Sequence, residues 1–398
     1  MIEPSARVQA LPGYPLAEIP SIKRRLIQAG VDVIDLGAGD NEAPPPAPVV
    51  EALREAVRDP ALSKYGFQQG LLQFRQAVSR YLERRFGLRF DPVSETLPLI
   101  GSKEGLAHLP LAVADPGDVC IVPEPGYQAY LGGTLLAACE PHVVPLRQEQ
   151  RFLLELDEVP PAVLSRAKVA FVNYPNNPTA AVAPRDYLER TVAACRRYGI
   201  LLGYDNAYCD LTFGGYVAPS IFEIPGARDV AVEFFSLSKT FSMTGWRLGW
   251  AVGRPDLIAA LTKVKSYVDT GPFLALQQAA VVALDRAEEF VAPIKATLQE
   301  RRDACVDSLV GAGFPVRRPE AAMYLWVPLP PGVASLPFCR RALEEEGVAV
   351  LGGAAFGPAG EGYFRIALTA GPARLREAVT RLARALARVR EEQLAPAS

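Results

Sequence analysis

The sequence predicts an α/β fold: a large domain on a mainly parallel seven-stranded sheet, with a smaller α+β domain beside it. Three observations carry that expectation. Seven short apolar runs alternate with stretches of helical period. Polar residues recur where those runs end, and open α/β sheets bind ligands outside the carboxyl ends of their strands. The chain, at 398 residues, is also too long for one small core, so two domains are the natural division.

Taken in order, the candidate strands cover residues 97–100, 119–122, 142–145, 169–173, 200–205, 231–236 and 247–252. Helical stretches lie between them at 106–114, 127–138 and 185–198. Gly101 and Ser102 follow the first strand, Asn173 ends the fourth, Asp205 the fifth and Ser236 the sixth. The large domain is expected over 51–291. Residues 292–310 read as a long charged helix, with Pro293 in its first turn and Gly311 just past its end, a bridge over 292–311. Residues 312–398 read as strand 323–327, helix 336–346, strand 363–368 and helix 373–392. The first fifty residues, proline-rich at Pro44–Pro46, are expected to pack on that unit and complete a discontinuous small domain; the tail 395–398 is expected to fray.

Composition narrows the chemistry. Hydrophobic residues make up 49% and charged residues 22%, ordinary for a soluble enzyme, and a net charge of −2 gives no general pull toward nucleic acid or an anionic membrane. No apolar stretch approaches the roughly eighteen residues of a membrane span. The opening M-I-E-P-S-A-R lacks the basic and apolar regions of an export signal, so a cytoplasmic location is expected. Six scattered cysteines without a C-x-x-C pair suit reduced thiols in the core. Only His108 and His142 are present, neither with a metal-ligand partner at helical spacing, which disfavours histidine-based triads and metal centres.

The richest string is S-L-S-K-T-F-S-M-T-G-W-R-L-G-W-A-V-G, from Ser236 to Gly253. It sets Lys239 among small hydroxylated residues, with Arg247 eight positions on. A primary amine is the group that condenses with an aldehyde, while serine hydroxyls and a guanidinium suit a phosphate monoester. An aldehyde and a phosphate on one molecule describe pyridoxal 5′-phosphate. Asp205, closing the run I-L-L-G-Y, could hold a pyridine nitrogen protonated or could simply be a turn or cap aspartate. The string from Asn173, N-Y-P-N-N-P-T, is also a turn signal, and G-S-K-E-G from Gly101 opens a helix whose N–H groups could cradle phosphate. Arg365 stands in the middle of the apolar strand Y-F-R-I-A-L, where a guanidinium needs a partner, either an internal acid or a ligand carboxylate.

These motifs, in this order from about Leu36 to Arg365, resemble the fold-type I, class I/II aminotransferases. G-S-K-E-G-L-A-H-L-P-L-A and N-Y-P-N-N-P-T look most like the LL-diaminopimelate aminotransferase-type branch. The resemblance implies the fold type I of PLP-dependent transferases and assigns roles. Lys239 would be the catalytic lysine and covalent partner of the cofactor. Ser102, Lys103, Ser236, Ser238 and Arg247 would bind the phosphate, and Tyr127 would stack on the ring. Asp205 would meet the ring nitrogen, and Asn177 and Tyr208 the phenolic oxygen. Arg365 and the backbone of Gly39 would hold the substrate α-carboxylate, with Asn177 beside them. Tyr65 and Thr270 would reach the phosphate of a neighbouring subunit, so a homodimer with shared sites is implied.

Ala180 departs from the pattern, standing where the family usually has glycine, which requires a backbone conformation alanine can reach. L-G-A-G-D, around Gly39, is no dinucleotide fingerprint, because Glu42 takes the third glycine's place and Pro44–Pro46 would stop the following helix. The expected activity moves an amino group between an L-amino acid and a 2-oxo acid. Candidate donors are LL-diaminopimelate, its succinylated form, aspartate and alanine, and Lys265 or Lys103 could meet a second carboxylate. A carbon–sulfur lyase on the same fold is the alternative, since both reactions begin with the same proton abstraction. A non-catalytic regulatory protein of this fold would be expected to lack Lys239 or Asp205.

Overall fold

The computed structural model describes residues 2–13, 18–40, 43–67 and 69–394. Glu42, discussed above, and the tail 395–398 lie outside the described residues. Twelve strands run through these residues: β1 Ile34–Asp35, β2 Thr96–Leu99, β3 Val119–Glu124, β4 Glu140–Pro145, β5 Ala167–Asn173, β6 Leu201–Asp205, β7 Ala231–Ser236, β8 Gly249–Gly253, β9 Tyr324–Pro328, β10 Val348–Ala349, β11 Leu351–Gly352 and β12 Tyr363–Ala367. The main helices are α1 Ile19–Gln28, α2 Ala47–Ala56, α3 Leu72–Phe86, α4 Ser102–Val113, α5 Gln128–Leu136, α6 Arg185–Tyr198, α7 Pro255–Val268, α8 Leu274–Asp285, α9 Ala287–Gly311, α10 Ser335–Glu346 and α11 Pro372–Leu394.

The seven-stranded sheet has the order β2-β8-β7-β6-β5-β3-β4. Six strands run the same way, and only β8 opposes its neighbours. The central strands β6, β7 and β8 are buried along their whole length, as expected where both sheet faces are covered. One face carries a cluster that includes Phe74, Tyr81, Phe235 and Trp250, with the rings of Phe235 and Trp250 stacked at 5.1 Å. The other face packs Leu106, Leu109, Tyr130 and Phe171. Edge strand β4 is only half-buried and contains Pro141 and Pro145, residues that blunt an open edge.

A second core surrounds the antiparallel sheet β11-β12-β9 and takes in Phe314, Phe338, Phe364 and Leu382. The N-terminal segment joins it, because β1 pairs in parallel with β10 and α1 packs on α10. Two local expectations are corrected. Helix α9 begins at Ala287, five residues before the sequence placed it, so Pro293 lies inside the helix and Gly311 is its last residue. An apolar interior contact at Phe290 and acidic residues in the first turn, Glu288 and Glu289, explain the earlier start. Arg247 lies before β8 rather than within it, its φ of 55° being incompatible with a strand. No helix among the described residues is long and apolar enough to cross a membrane.

Candidate active site

The carboxyl ends of β5, β6 and β7 open into a cavity of about 560 Å³, closed from the opposite side by residues 37–40, Tyr324, Phe356 and Arg365. Register sets the first contacts. Asn173 and Asp205 face each other at the ends of adjacent strands, and Asn173 donates to the Asp205 carbonyl at 2.8 Å. The Asp205 carboxylate accepts from the Tyr130 hydroxyl at 2.8 Å and from the Ala207 N–H at 3.3 Å. Burial pushes its pKa up to about 6, against those two hydrogen bonds. A buried carboxylate with only neutral donors around it suits a cationic N–H.

At the other end of the cavity every functional side chain is a donor or a cation. Ser236 ends β7 and caps the short helix Leu237–Thr240, accepting from the Ser238 N–H at 3.2 Å, and this turn presents Lys239. Arg247 reaches back over the turn to Ser238 Oγ at 3.5 Å and the Thr244 carbonyl at 2.8 Å. Gly101 has a φ of 72°, which favours glycine, and a β-carbon there would meet the Arg247 guanidinium at 2.3 Å and push it from its place. Ser102 begins α4, and it and Lys103 both line the cavity, so the helix N-terminus lies at this end. The Lys103 ammonium lies 5.8 Å from the Tyr127 ring centre, its pKa held below the usual lysine range by desolvation and by Arg247. Tyr127 precedes α5 and lines the cavity instead of lying inside the helix.

The N-terminal segment and the small sheet supply the remaining wall. Lys239 Nζ donates to the Gly39 carbonyl at 2.6 Å. Arg365 donates through Nη1 to Asn177 Oδ1 and through Nη2 to the Gly37 carbonyl, both at 2.7 Å. Its guanidinium lies 4.2 Å from the Tyr324 ring centre and 4.9 Å from that of Phe356. Buried Nε has no acceptor, and no carboxylate among the described residues pairs with Arg365, so the internal salt bridge that the sequence left open is not formed. Tyr208 and Tyr324 share a hydrogen bond of 3.2 Å between hydroxyls. Burial raises the phenol pKa of Tyr324, but Lys239 and Arg365 outweigh it and hold the group below the ordinary tyrosine value.

Twelve of the predicted site residues therefore meet in one cavity: Gly39, Ser102, Lys103, Tyr127, Asn177, Asp205, Tyr208, Ser236, Ser238, Lys239, Arg247 and Arg365. Tyr65 and Thr270 do not line it; both are exposed. Lys265 does not line it either, so its suggested role toward a substrate carboxylate is corrected: it is fully buried against Glu104 and Asp269. Tyr130 and Tyr324 complete the site and were not singled out as functional in the sequence, while Asn173, noted there as a polar strand end, was given no role. Ala180 adopts a φ of 57°, the left-handed conformation that glycine reaches freely and alanine reaches at a cost of about 1 kcal/mol.

The donor set fits pyridoxal 5′-phosphate. Hydroxyls, a guanidinium and a helix N-terminus gather at one end, a lysine lies between, and a buried carboxylate stands at the other. The backbone is drawn so tight at the anionic end that a β-carbon on Gly249 would come within 2.9 Å of the Ser102 nitrogen.

Comparison with known proteins agrees with this arrangement. The family model "Aminotransferase class I and II" matches residues 31–382. LL-diaminopimelate aminotransferase from Syntrophobacter fumaroxidans is 46% identical over 94% of this chain and 97% of its own, and the enzyme of that name from Aquifex aeolicus is 44% identical over 96% and 99%. Substrate-bound BacF from Bacillus subtilis superposes with a TM-score of 0.93 at 33% identity, covering 97% of this chain and 98% of its own. A probable N-succinyldiaminopimelate aminotransferase from Thermus thermophilus gives 0.89 at 39% identity, covering 94% and 100%. The chain belongs to the class I and II aminotransferases. It is a pyridoxal-phosphate-dependent enzyme that moves an amino group between an amino acid and a 2-oxo acid.

Proposed function

We propose that the amino donor is LL-diaminopimelate and that the enzyme works in the cytoplasm as a homodimer with shared active sites. What carries the substrate reading is the charge at the cavity rim. Asp40 and Lys103 line the same cavity as Arg365. A donor with a single amino-acid group would engage Arg365 and leave both rim charges to water. A donor with a second ammonium and carboxylate at its far end can use all three. The curated relatives named LL-diaminopimelate aminotransferase point the same way.

In this reading Arg365 grips the α-carboxylate through its planar fork, and Gly39 contributes its backbone amide. Ser236, Ser238 and Arg247 would hold the cofactor phosphate together with the backbone N–H groups of Ser102 and Lys103, which leaves the Lys103 ammonium at the rim, and Tyr127 would cover the ring. Asp205 keeps the ring nitrogen protonated. Asn177, its amide oxygen engaged by Arg365, offers its N–H to the phenolic oxygen, and Tyr208 donates to the same atom. The cofactor supplies an electron sink for charge developing at the substrate α-carbon. Lys239 Nζ takes the α-proton and delivers it onward, one amine serving both atoms.

The dimer is supported by an apolar face outside the cavity. Tyr65, Phe67, Tyr267, Val268 and Phe273 are all exposed, and Gly66, Gly70 and Leu71 pack on Leu274 and Gln277 at the start of α8, next in sequence to 267–273. Thr270 belongs to that face. Two copies joined there would cover it and bring Tyr65 and Thr270 toward the neighbouring site.

A half-reaction screen tests the substrate. Amino acids are added singly to the holoenzyme, and conversion of the cofactor from aldehyde to amine form is followed by absorbance. LL-diaminopimelate is expected to react at least about 100-fold more efficiently than aspartate or alanine, the worth of two further charged contacts. Its succinylated form, which lacks the second ammonium, is expected to be slower. Preference for aspartate, alanine or the succinylated compound would overturn the reading, and Lys239→Ala should show no conversion at all.

A further inference from the structure

Behind the phosphate end of the cavity lies a charge cluster that the reaction does not touch. Lys265, on α7, has a relative exposure of 0%. Its ammonium meets both Glu104 carboxylate oxygens at 2.7 Å and Asp269 Oδ1 at 2.7 Å. An ammonium has three N–H donors, and here three carboxylate oxygens take them. Such a group is tolerated in a protein interior only with this degree of pairing.

The two carboxylates belong to different segments, and that of Glu104 adjoins the phosphate end. Glu104 is in the first turn of α4, two residues after Ser102, and its second oxygen accepts from the Ile100 N–H at 2.6 Å, which closes the turn through Gly101. His108 Nδ1 stands 3.4 Å from the other oxygen. Asp269 accepts from the Gly271 N–H at 2.6 Å and so shapes the turn that carries Thr270. One ammonium thus joins the turn that opens α4 to the turn at the end of α7. It also offsets a carboxylate whose charge, left alone, would oppose an anion at the helix N-terminus.

We propose that Lys265 is a positioning residue for the cofactor phosphate, acting through Glu104 to set both the shape and the charge of the first turn of α4. This rests on the reading that Ser102, Arg247 and the α4 N-terminus hold that phosphate. The prediction is selective. In Lys265→Met the half-buried Glu104 loses its counter-charge, and affinity for the phosphorylated cofactor falls while affinity for the same ring without phosphate changes little.

The experiment measures dissociation constants of pyridoxal 5′-phosphate and of pyridoxal for the cofactor-free protein, by absorbance titration. Lys265→Met is expected to weaken the phosphate form at least about tenfold, as loss of an outer-shell partner does at metal sites, with pyridoxal within about twofold. Adding Glu104→Gln to that variant removes the stranded charge and should restore most of the lost affinity. Equal weakening of both ligands, absence of any weakening, or failure of the double variant to recover would overturn the proposal, since a purely structural role predicts those results. Should Lys265→Met fail to fold, Glu104→Gln alone decides: phosphate-selective binding equal to or tighter than wild type supports the proposal, and a matched loss of both ligands defeats it. Arg247→Gln separates the two layers of inference. If it leaves the ratio of the two constants unchanged, the phosphate reading itself is wrong; if it shifts the ratio and Lys265→Met does not, only the role of Lys265 fails.

Discussion

The two halves of the cavity are held in different ways. In the cofactor half three functional groups are fixed by neighbours from the large domain: Asp205 by Tyr130 and Ala207, Asn177 by Asn173, and Ser238 by Ser236 and Arg247. The substrate half is drawn from residues 37–40, Tyr324, Phe356 and Arg365, far apart in sequence, with Asp40 exposed at the rim. Tyr65 and Thr270 stand outside altogether, on an apolar face. The contrast teaches that the cofactor chemistry is built into rigid strand ends of one chain, whereas substrate selection depends on how separate segments, and in our reading separate chains, come together.

Breaking the outer part of that contrast should have the largest effect. Phe67 and Tyr267 are 69% and 88% exposed, so Phe67→Glu with Tyr267→Glu should leave the monomer fold intact. At a dimer interface each new charge would be stranded at a cost of several kcal/mol, raising the dimer dissociation constant by about 10³-fold or more. Sedimentation should then show monomers, and turnover should disappear with the dimer. A folded monomer with undiminished turnover would mean that one chain holds a complete site.

Arg365→Lys tests the inner wall. The lysine keeps the charge but loses the fork, and with it the bond to Asn177 Oδ1 and the packing on Tyr324 and Phe356. We expect kcat/KM to fall roughly 100-fold, the usual cost of spoiling a desolvated charge contact, with cofactor affinity unchanged. A loss of cofactor affinity as large as the loss of kcat/KM would show that Arg365 belongs to the rigid half after all.

The same contrast explains what could be read from the sequence. Parallel buried strands appear as unbroken apolar runs, and Asn173, Asp205 and Ser236 were visible because each is a polar residue at the end of one. Arg365 was visible because a guanidinium in an apolar strand demands a reason. Tyr130 and Tyr324 were not, since an aromatic within an apolar pattern looks like core. Only the pairing of β9 with β12, which sets Tyr324 opposite Ala367 and Trp326 opposite Arg365, turns Tyr324 toward the site. The environment of Lys265 was hidden for a similar reason: its two carboxylate partners include one 161 positions away. Residue type names the chemistry at a strand end, but burial of a helix residue depends on which helix lies against it. The early start of α9 was missed because Pro293 was taken as a boundary that packing overrides.

The smallest expected effect sharpens the description of the rigid half. Asp205 has its pKa raised from an ordinary 3.8 to about 6, mainly by burial. At about pH 3 and below the group is largely protonated whether the chain is folded or unfolded, and it imposes little penalty. As pH rises through about 6 the folded protein must bury a charge that the unfolded chain leaves in water, so stability contributed by the protonated form is lost. Two pKa units correspond to about 3 kcal/mol. In cofactor-free protein, Asp205→Asn should therefore match wild type near pH 3 and exceed it by up to about 3 kcal/mol at pH 7, as measured by urea unfolding. Glu233, which burial pushes up to about 8, adds a slope of the same sign to both proteins, so the difference between the two curves isolates Asp205. Cofactor binding should reverse the order, because the carboxylate then meets a cationic ring nitrogen that asparagine cannot hold protonated. A flat difference curve would mean that Asp205 is not destabilised in the folded chain, and that the strand-end half of the cavity holds its carboxylate without the tension its burial implies.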